Sequence, residues 1–500
     1  MKISRTLLTF LLLLCIFTPS IAQKQSTKLD AMIQQGVKDW NIPGLAAIVV
    51  HKGEVVFQKT YGVKDIDSGD PVDSNTLFNM GSTTKAIVAL SIGMLVDQGK
   101  VQWDDKVRDY LPWFRLSDPY VTADARVKDL LTHNLGSGNA DFLWLLDSMS
   151  TRATLEKFQL SERSYPLRGG FIYQNLMYAI AGELIEAVSG QHWTAFVQDN
   201  VFDPLEMNRT QAKSTDIFKA GNYAFPYHDD PDEGLVQVRH TLDDQIGAAG
   251  MIWSSAADIG NYLKFLEGGG VFNGDTLISQ ATFSYLFEPH SFVTKSSFYP
   301  TQQLTNPNWT TYGLGWFQQD YRGTKLDFHT GSITGLVAMA GIVHDKDLAI
   351  YVFSNLDHAE LRHAILYKAI DLYAFDDDTR DWHKEVLRLY SGFKEMAREA
   401  TKKRDESRVA NTKPTLSLDE YTGNYTHKMY GTAVVSLEKG KLKLVFNNHL
   451  VHTLSHWNFD TFMTNKEPDW RWELLVKFNV SSAGKIEDLN VLGETFNKTE

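Results

Sequence analysis

The sequence predicts an α/β (α+β) sandwich, a mainly antiparallel sheet flanked by helices with a mostly helical region inserted, followed by a small all-β domain. Strand-like runs begin near residue 44 and return after residue 335. Between about residues 105 and 290, helix-like segments alternate with loops rich in Gly, Pro, Asp and Asn. After residue 415, apolar and polar residues alternate around Gly turns, which is typical of a small antiparallel β-domain.

The first predicted elements are a hairpin and a buried helix. Residues 44–50 (GLAAIVV) and 54–61 (EVVFQKTY) are rich in β-branched and aromatic residues, and His51-Lys52-Gly53 joins them as a turn. Residues 84–98 are apolar nearly all round and end at Gly99, a residue type that often terminates helices. Because this helix has no polar face, we expect it in a core.

The later elements of the large domain are two strands between two helices. A helix is predicted at residues 178–188, ending at Gly190. Strands are predicted at residues 335–343 and 348–354, and a second helix at residues 359–373. Since strands stand on both sides of the helical insertion, we expect distant parts of the chain to close one sheet.

Two domains are expected, because a single hydrophobic core rarely grows beyond about 250 to 300 residues and the chain has 500. Charged residues crowd residues 376–414, which predicts a charged, helical linker. The sequence therefore divides into a large domain at residues 26–375, this linker, and a β-domain at residues 415–500.

The first 22 residues predict a secretory signal peptide. Lys2 and Arg5 give a basic start, residues 7–17 are apolar, and Ser20-Ile21-Ala22 has the small-x-small pattern of a cleavage site. The apolar run is shorter than the roughly 20 residues that span a membrane. We therefore expect a secreted or periplasmic protein whose mature chain has no transmembrane segment.

Cysteine and charge exclude several classes of function. Cys15 is the only cysteine; Leu13 and Leu14 precede it where lipoprotein signals usually place a small residue, so lipid anchoring is the minority interpretation. Cleavage would remove Cys15, and with it disulfides, cysteine nucleophiles and thiolate metal sites. The net charge of −12 argues against nucleic acid as a partner. The 15 histidines lack ligand spacing, so no metal or other cofactor is expected.

Ser82-Thr83-Thr84-Lys85 is the candidate nucleophilic motif. The Ser-x-x-Lys spacing occurs four times, starting at Ser82, Ser391, Ser436 and Ser482, so spacing alone is a weak signal. Ser82 differs because it begins the all-apolar helix, which places Lys85 one turn further on the same face. Burial and the helix dipole would lower the pKa of Lys85 and let it accept a proton from a serine nucleophile. On this evidence alone, Ser82 could equally be a nucleophile or a residue that simply caps the helix.

Two later segments are further candidate site motifs, so that the chain contains three in all. Tyr173-Gln174-Asn175 is the only Tyr-x-Asn in the chain and stands just before a predicted helix. His329-Thr330-Gly331-Ser332 stands between strand-like runs; His51-Lys52-Gly53 has the same His-x-Gly pattern but is better explained as a hairpin turn.

In this order, the Ser82/Lys85, Tyr173/Asn175 and His329/Gly331 pairs resemble the three sequence boxes of the serine β-lactamase and penicillin-binding protein superfamily. The resemblance is closest to its class C-like branch, which also holds DD-peptidases, D-aminopeptidases and esterases, and it covers about residues 26–375. Supporting matches are DLLTH at 129–133, FDPLEM at 202–207, GMIWS at 250–254 and YGLGW at 312–316. Residues 418–446 resemble the lipocalin-like β-domain appended to some of these hydrolases.

The resemblance implies a β-lactamase/DD-peptidase-like fold and an acyl-enzyme mechanism. Ser82 would attack a carbonyl, while Lys85 and Tyr173 exchange the proton. Asn175, His329 and Gly331 would bind and orient the substrate. The backbone N–H groups of Ser82 and Ser332 would form the oxyanion hole.

Two departures from the family pattern bear on the substrate. His329 stands where penicillin-processing relatives commonly carry Lys, which lowers the expectation of β-lactam hydrolysis. No Glu-x-x-Leu-Asn segment supplies a deacylating glutamate, so deacylation would use the Tyr173 and Lys85 side.

The sequence therefore predicts a serine hydrolase acting on a small-molecule or peptide amide or ester, of peptidase, D-aminopeptidase or esterase type. A class C-like β-lactamase or penicillin-binding protein is the first alternative. The second is a non-catalytic binding or scaffold protein that retains the fold. The oligomeric state is left open.

Overall fold

The computed structural model of this chain describes residues 21–467 and 471–499. The predicted signal peptide, with Cys15, thus lies outside the described residues apart from its last two positions, which begin the first helix. None of the helices in the described ranges is long and apolar enough to cross a membrane. These helices are α1 Ile21–Asp39, α2 Thr84–Asp97, α3 Val107–Tyr110, α4 Pro119–Asp124, α5 Phe142–Leu145, α6 Thr151–Lys157, α7 Asn175–Ser189, α8 Trp193–Val197, α9 Ile217–Ala220, α10 Gly247–Gly250, α11 Ala256–Glu267, α12 Gln280–Leu286, α13 Gln302–Thr305, α14 Leu361–Phe375 and α15 Trp382–Glu406.

The strands fall into a large sheet, three small ribbons and a barrel. Those of the first domain are β1 Gly44–His51, β2 Glu54–Gly62, β3 Phe78–Asn79, β4 Tyr227–Asp230, β5 Gly234–Gln237, β6 Trp253–Ser254, β7 Val271–Phe272, β8 Asp275–Thr276, β9 Ser291–Phe292, β10 Thr310–Tyr312, β11 Phe317–Tyr321, β12 Thr324–Ile333, β13 Leu336–Val343 and β14 Leu348–Ser354. Those of the second are β15 Gly423–His427, β16 Gly431–Glu438, β17 Lys441–Phe446, β18 Leu450–Asn458, β19 Thr461–Thr464, β20 Leu475–Val480, β21 Ile486–Val491 and β22 Glu494–Thr499.

The large sheet is antiparallel and has the strand order β2-β1-β14-β13-β12-β11-β10-β9. β1, near the start of the domain, pairs with β14, near its end, and Leu45 lies opposite Ser354. The prediction that distant parts of the chain close one sheet is confirmed. β12 lies inside the sheet: β11 pairs with its residues 324–328, and β13 pairs with its residues 327–333.

Helices cover both faces of this sheet. Alternate β1 residues separate the two cores, since successive side chains of a strand point to opposite faces. Leu45 and Ala47 lie in the core under α1 and α14. Ala46 and Ile48 lie in the core that also contains α2, α7 and α11. The predicted sandwich is thus confirmed, with the buried helix α2 inside the larger core.

Most predicted elements occur where the sequence places them. The hairpin turns at Lys52 and Gly53, both with positive φ. α2 ends at Asp97, and α7 ends against Gly190 in the left-handed conformation. The third box differs: His329 to Ser332 lies within β12 rather than between strands. Its polar residues break the apolar run that marks a buried strand, because this part of the strand lines a cavity.

The charged segment forms one long helix, α15, with two different halves. Trp382 and Val386 in its first turns are buried, and the Trp382 ring stacks on Tyr367 of α14 with ring centroids 4.7 Å apart. Its second half is exposed and leads to the β-domain. The predicted linker therefore begins as part of the large domain's packing.

The C-terminal strands form a closed antiparallel barrel in sequence order, β15 to β22. β15 pairs with β22, for example at Asn424 and Thr499, and this pairing closes the barrel. Apolar side chains such as Leu444, Phe478 and Leu489 are fully buried and pack the barrel. The predicted small all-β domain is confirmed.

Candidate active site

The predicted site residues come from three parts of the chain that meet beside the sheet. Ser82 lies in the Gly81–Thr83 turn that leads directly into α2, and Lys85 lies fully buried in the first turn of α2. α7 begins at Asn175, and β12 carries the third box. One cavity of about 460 Å³ is lined by the predicted residues Ser82, Tyr173, Asn175, His329 and Ser332.

Lys85 contacts Ser82 with a geometry that suits proton transfer. Its Nζ lies 3.0 Å from Ser82 Oγ, 2.8 Å from Asn175 Oδ1 and 2.6 Å from the Ala249 carbonyl oxygen. The two carbonyl oxygens can only accept hydrogen bonds. In a neutral amine, both N–H groups would be used on Asn175 and Ala249, and the lone pair would be left for the Ser82 hydroxyl proton. Lys85 is therefore placed to act as a base towards Ser82.

The pKa of Lys85 fits that role. Burial lowers the pKa of Lys85 from 10.5 to about 7, because the charged form loses its hydration, while the Asp141 carboxylate acts in the opposite direction. The Asn175 amide stands between that carboxylate and Nζ. A substantial fraction of Lys85 is consequently neutral near pH 7.

Asp141 is a site residue that sequence reasoning missed. Its carboxylate accepts hydrogen bonds from Asn175 Nδ2, at 3.2 Å to each oxygen, and from Trp144 Nε1 at 3.0 Å. Because a carboxylate only accepts, Asp141 fixes the Asn175 amide with Oδ1 towards Lys85. Asp141 lies 34 residues before Asn175 and no local pattern marks it, so only the fold reveals the contact.

Tyr173 places a buried phenol next to Ser82. Its ring is partly exposed, but its hydroxyl is buried and makes no hydrogen bond of normal geometry among the described residues. Burial raises the pKa of Tyr173 well above its usual value, and the nearby Ser82 hydroxyl only partly opposes this. Its ring packs on His133 with centroids 4.4 Å apart. At neutral pH Tyr173 is thus a proton donor, and Lys85 is the better base.

His329 is buried and neutral. Burial lowers its pKa to about 3, and the Lys85 charge acts in the same direction. Its Nδ1 lies 2.6 Å from the Thr330 carbonyl oxygen and its Nε2 lies 3.0 Å from the Tyr312 hydroxyl. The carbonyl requires Nδ1 to carry the proton, so Nε2 accepts from Tyr312. His329 therefore supplies no positive charge to the cavity.

Two glycines allow β12 to approach the Ser82 turn at backbone distance. A Cβ at Gly331 would lie 1.9 Å from the Met80 carbonyl oxygen, and a Cβ at Gly81 would lie 2.6 Å from the Ser332 nitrogen. Gly81 also has φ of +51°, which disfavours other residues. The backbone of Ser332 consequently lies against the turn that carries Ser82.

Arg362 holds this end of β12 in place and was also missed from the sequence. Its Nη1 donates to the Gly331 carbonyl oxygen at 2.6 Å and to Ser332 Oγ at 3.0 Å. Glu360 pairs with Nε at 3.0 Å and with Nη2 at 3.1 Å, so the buried guanidinium is neutralised by a bidentate partner. Glu360 and Arg362 stand at the start of α14, where nothing in the sequence distinguishes them from surface charges.

Within residues 21–467 and 471–499, no group of three or more His, Cys, Asp or Glu side chains is arranged to hold a metal ion.

A mixed α/β sandwich with a serine beside a buried lysine in a solvent-connected cavity is the arrangement of a serine hydrolase. The chain belongs to the β-lactamase family, since residues 29–375 match the family model described as Beta-lactamase. Residues 407–499 match a domain of unknown function, DUF3471. The family resemblance, the fold class and the prediction of a serine hydrolase are all confirmed.

Proteins with similar sequences include a hydrolase and an esterase. Unguisins hydrolase ungD of Aspergillus violaceofuscus is 28% identical over 461 residues, which cover 85% of this chain and 80% of that protein. Esterase EstB of Burkholderia gladioli is 32% identical over 231 residues, 42% of this chain and 56% of that protein.

Two solved structures share the fold over nearly the whole chain. The octameric penicillin-binding protein homologue from Pyrococcus abyssi has a TM-score of 0.61 at 20% identity and covers 94% of this chain and 98% of its own. SurE has a TM-score of 0.57 at 18% identity and covers 95% of this chain and 99% of its own.

Proposed function

We propose that this protein hydrolyses an amide or ester through an acyl-enzyme formed on Ser82, with a small-molecule or peptide substrate. The observation that carries the proposal is the Lys85 amine, 3.0 Å from Ser82 Oγ, with its other contacts used by two carbonyl oxygens. A surface serine with a solvated lysine has no comparable base. Burial lowers the pKa of Lys85 to about 7, so a substantial fraction of the amine is neutral near pH 7 and can accept a proton.

Acylation follows from these contacts. The Ser82 proton passes to Lys85 Nζ while Oγ bonds to the substrate carbonyl carbon, and the carbonyl oxygen takes the displaced electron pair. The N–H groups of Ser82 and Ser332 stabilise this oxygen. The bond to the leaving group then breaks, and the leaving amine or alcohol takes a proton from the Lys85 ammonium, directly or through the Tyr173 hydroxyl.

In deacylation, water takes the place of Ser82 as the nucleophile. Lys85 accepts a proton from a water molecule, whose oxygen attacks the ester carbonyl of the acyl-enzyme. The ester bond breaks, Ser82 regains its proton from Lys85, and the acid product leaves. Tyr173 serves as a phenol throughout, because its raised pKa keeps it protonated.

The substrate class follows from the charge of the cavity. Penicillin-processing relatives commonly use the third-box lysine as a cation, whereas His329 is neutral here. This favours a peptidase or esterase over a class C-like β-lactamase. The name of one relative, an esterase, agrees with that preference.

Labelling with a fluorophosphonate tests the proposal. Intact-mass spectra of the full chain should show one adduct, and tandem spectra should place it on Ser82. Ser82→Ala should abolish the adduct and lower ester turnover by about 10⁴-fold or more. Ser391→Ala is the matched control, because it removes the same motif from an exposed helix and should change neither. A wild-type protein that forms no adduct with any acyl donor contradicts the proposal and favours the scaffold interpretation.

A further inference from the structure

The C-terminal barrel contacts the large domain at two places that border the active site. Near α5, Asn447 Nδ2 donates to the Leu146 carbonyl oxygen at 3.1 Å, and the Tyr430 ring meets Phe142 with centroids 5.9 Å apart. α5 directly follows Asp141, the residue that orients Asn175. The barrel therefore braces one wall of the cavity.

The second contact is a set of ion pairs with the β4–β5 hairpin. Arg471 Nη2 lies 2.7 Å from Asp230 Oδ2 and 2.8 Å from Glu233 Oε1, and Lys466 Nζ lies 3.2 Å from the same Asp230 oxygen and 3.0 Å from Asp232 Oδ2. Burial would raise the pKa of Asp230, but its hydrogen bonds with Arg471, Lys466 and the Asp232 backbone hold that pKa well below its usual value. Since Asp230 is 3% exposed, this is a desolvated anchor rather than a surface pair.

This anchor places Trp472 at a second cavity of about 270 Å³. The cavity is also lined by Leu145, His228, Ile333 and Asp357, and it shares Ser332 with the cavity that contains Ser82. It is the continuation of the active site along β12, on the side of Ser332 away from His329. A substrate carbonyl held by the Ser332 amide would direct one of its substituents into this space.

The lining of the second cavity favours an apolar occupant. Leu145, Ile333 and the Trp472 ring supply apolar surface, and Trp472 is 59% exposed. Thr334, His358 and Arg471 line the cavity as well. Its titratable groups have partners: His228 Nδ1 lies 3.3 Å from Asp357 Oδ2, His358 Nδ1 lies 3.6 Å from Glu360 Oε1, and Arg471 is paired with Asp230 and Glu233. An exposed indole next to a pocket gains most from covering an aromatic or other bulky apolar group.

We propose that this second cavity is a substrate subsite for a bulky apolar, preferably aromatic, substituent, and that Trp472 of the C-terminal barrel is its specificity-determining side chain. The proposal rests on the function assigned to Ser82. In this proposal the C-terminal barrel takes a direct part in substrate selection, because without Trp472 the large domain would leave that side of the second cavity open.

Two series of esters test the subsite on the full-length protein. In one series the leaving group is constant and the acyl group changes from acetyl to phenylacetyl; in the other, acetate is constant and the alcohol changes from methyl to benzyl. Wild type should prefer the aromatic member in at least one series, measured as the ratio of kcat/KM values. Trp472→Ala should reduce that ratio about tenfold, Trp472→Phe should restore most of it, and the small ester should be unaffected.

Phe459→Ala is the matched control, because it removes another exposed aromatic ring of the barrel, 54% exposed, that does not line the cavity. The inference fails if Trp472→Ala keeps the wild-type ratio in both series, while fluorophosphonate labelling and turnover of small esters continue. An inactive, unlabelled wild type would instead overturn the proposed function. Equal labelling of Trp472→Ala and wild type by a small fluorophosphonate shows that the variant is folded and its nucleophile intact.

Discussion

The same Ser-x-x-Lys spacing occurs at the start of α2 and within α15, in opposite surroundings. In α2, Lys85 is fully buried and its amine lies among uncharged oxygen atoms. In α15, Ser391 and Lys394 are exposed, and the Lys394 amine lies 3.5 Å from the Asp229 carboxylate. The same spacing therefore occurs in two different environments. Burial without a direct counter-ion lowers the pKa of Lys85, and this difference is what the proposed role of Lys85 as a base depends on.

Removing each lysine in turn gives the largest expected contrast. Lys85→Met should lower kcat/KM for an activated ester by about 10³ to 10⁴-fold, since a positioned general base contributes on that scale. Lys394→Met should leave kcat/KM within twofold of wild type. Steady-state kinetics on both variants, with circular dichroism to confirm folding, provides the measurement. Equal activities would show that the α2 motif is no more catalytic than its exposed counterpart.

Glycine substitutions extend the comparison to the backbone. Gly331→Ala places a methyl group against the Met80 carbonyl oxygen, so β12 must move away from Ser82. The expected loss in kcat is about 10² to 10³-fold, the usual cost of one oxyanion-hole donor.

The control for this substitution lies in α15, next to the exposed serine. A Cβ at Gly392 meets nothing within 4 Å, and Gly392→Ala should raise the free energy of unfolding by about 0.5 to 1 kcal/mol. Urea denaturation and ester kinetics on both variants measure the two effects. Full activity in Gly331→Ala would argue against the Ser332 amide as an oxyanion donor.

The pH dependence of kcat/KM should be a smaller effect than those of the substitutions above, but it is the one most specific to Lys85. In the proposed mechanism the neutral form of Lys85 is the base, and burial lowers the pKa of Lys85 to about 7; kcat/KM should therefore fall about tenfold per pH unit below pH 7 and level off above it. His329 stays neutral and Tyr173 stays protonated over this range, so neither should add a second transition.

Asp141 supplies the control for the pH profile. Its negative charge raises the pKa of Lys85, so Asp141→Asn should move the midpoint to lower pH. A midpoint that stays in place or rises would show that another group controls the profile.

The sequence predicted the parts of the site that depend on local pattern. Ser82 and Lys85 are close in sequence, and the apolar residues around Lys85 predict its burial directly. Tyr173 and Asn175 follow from a short motif next to a helix start. The large sheet could be predicted because strand-like runs occur at both ends of the domain.

The remaining contacts depend on tertiary approach and leave no local signal. The Ala249 carbonyl that binds Lys85 is a backbone atom 164 residues away in the chain, which any residue type could supply. Asp141 and Arg362 look like ordinary surface charges until the fold places them against Asn175 and Gly331. The third box was not recognised as part of a strand, because its polar residues face the cavity.

The pairing of β1 with β14 has a consequence for synthesis and folding. Leu45 meets Ser354 across more than 300 residues of intervening chain, so the central sheet has high contact order and closes late. Until residue 354 has been made, β13 has no partner on that side, and β12 has no fixed platform from which to meet Gly81. The nascent chain thus carries its serine and lysine long before it can use them. The arrangement of Ser82, Lys85 and the third box is therefore complete only when the whole large domain has been made.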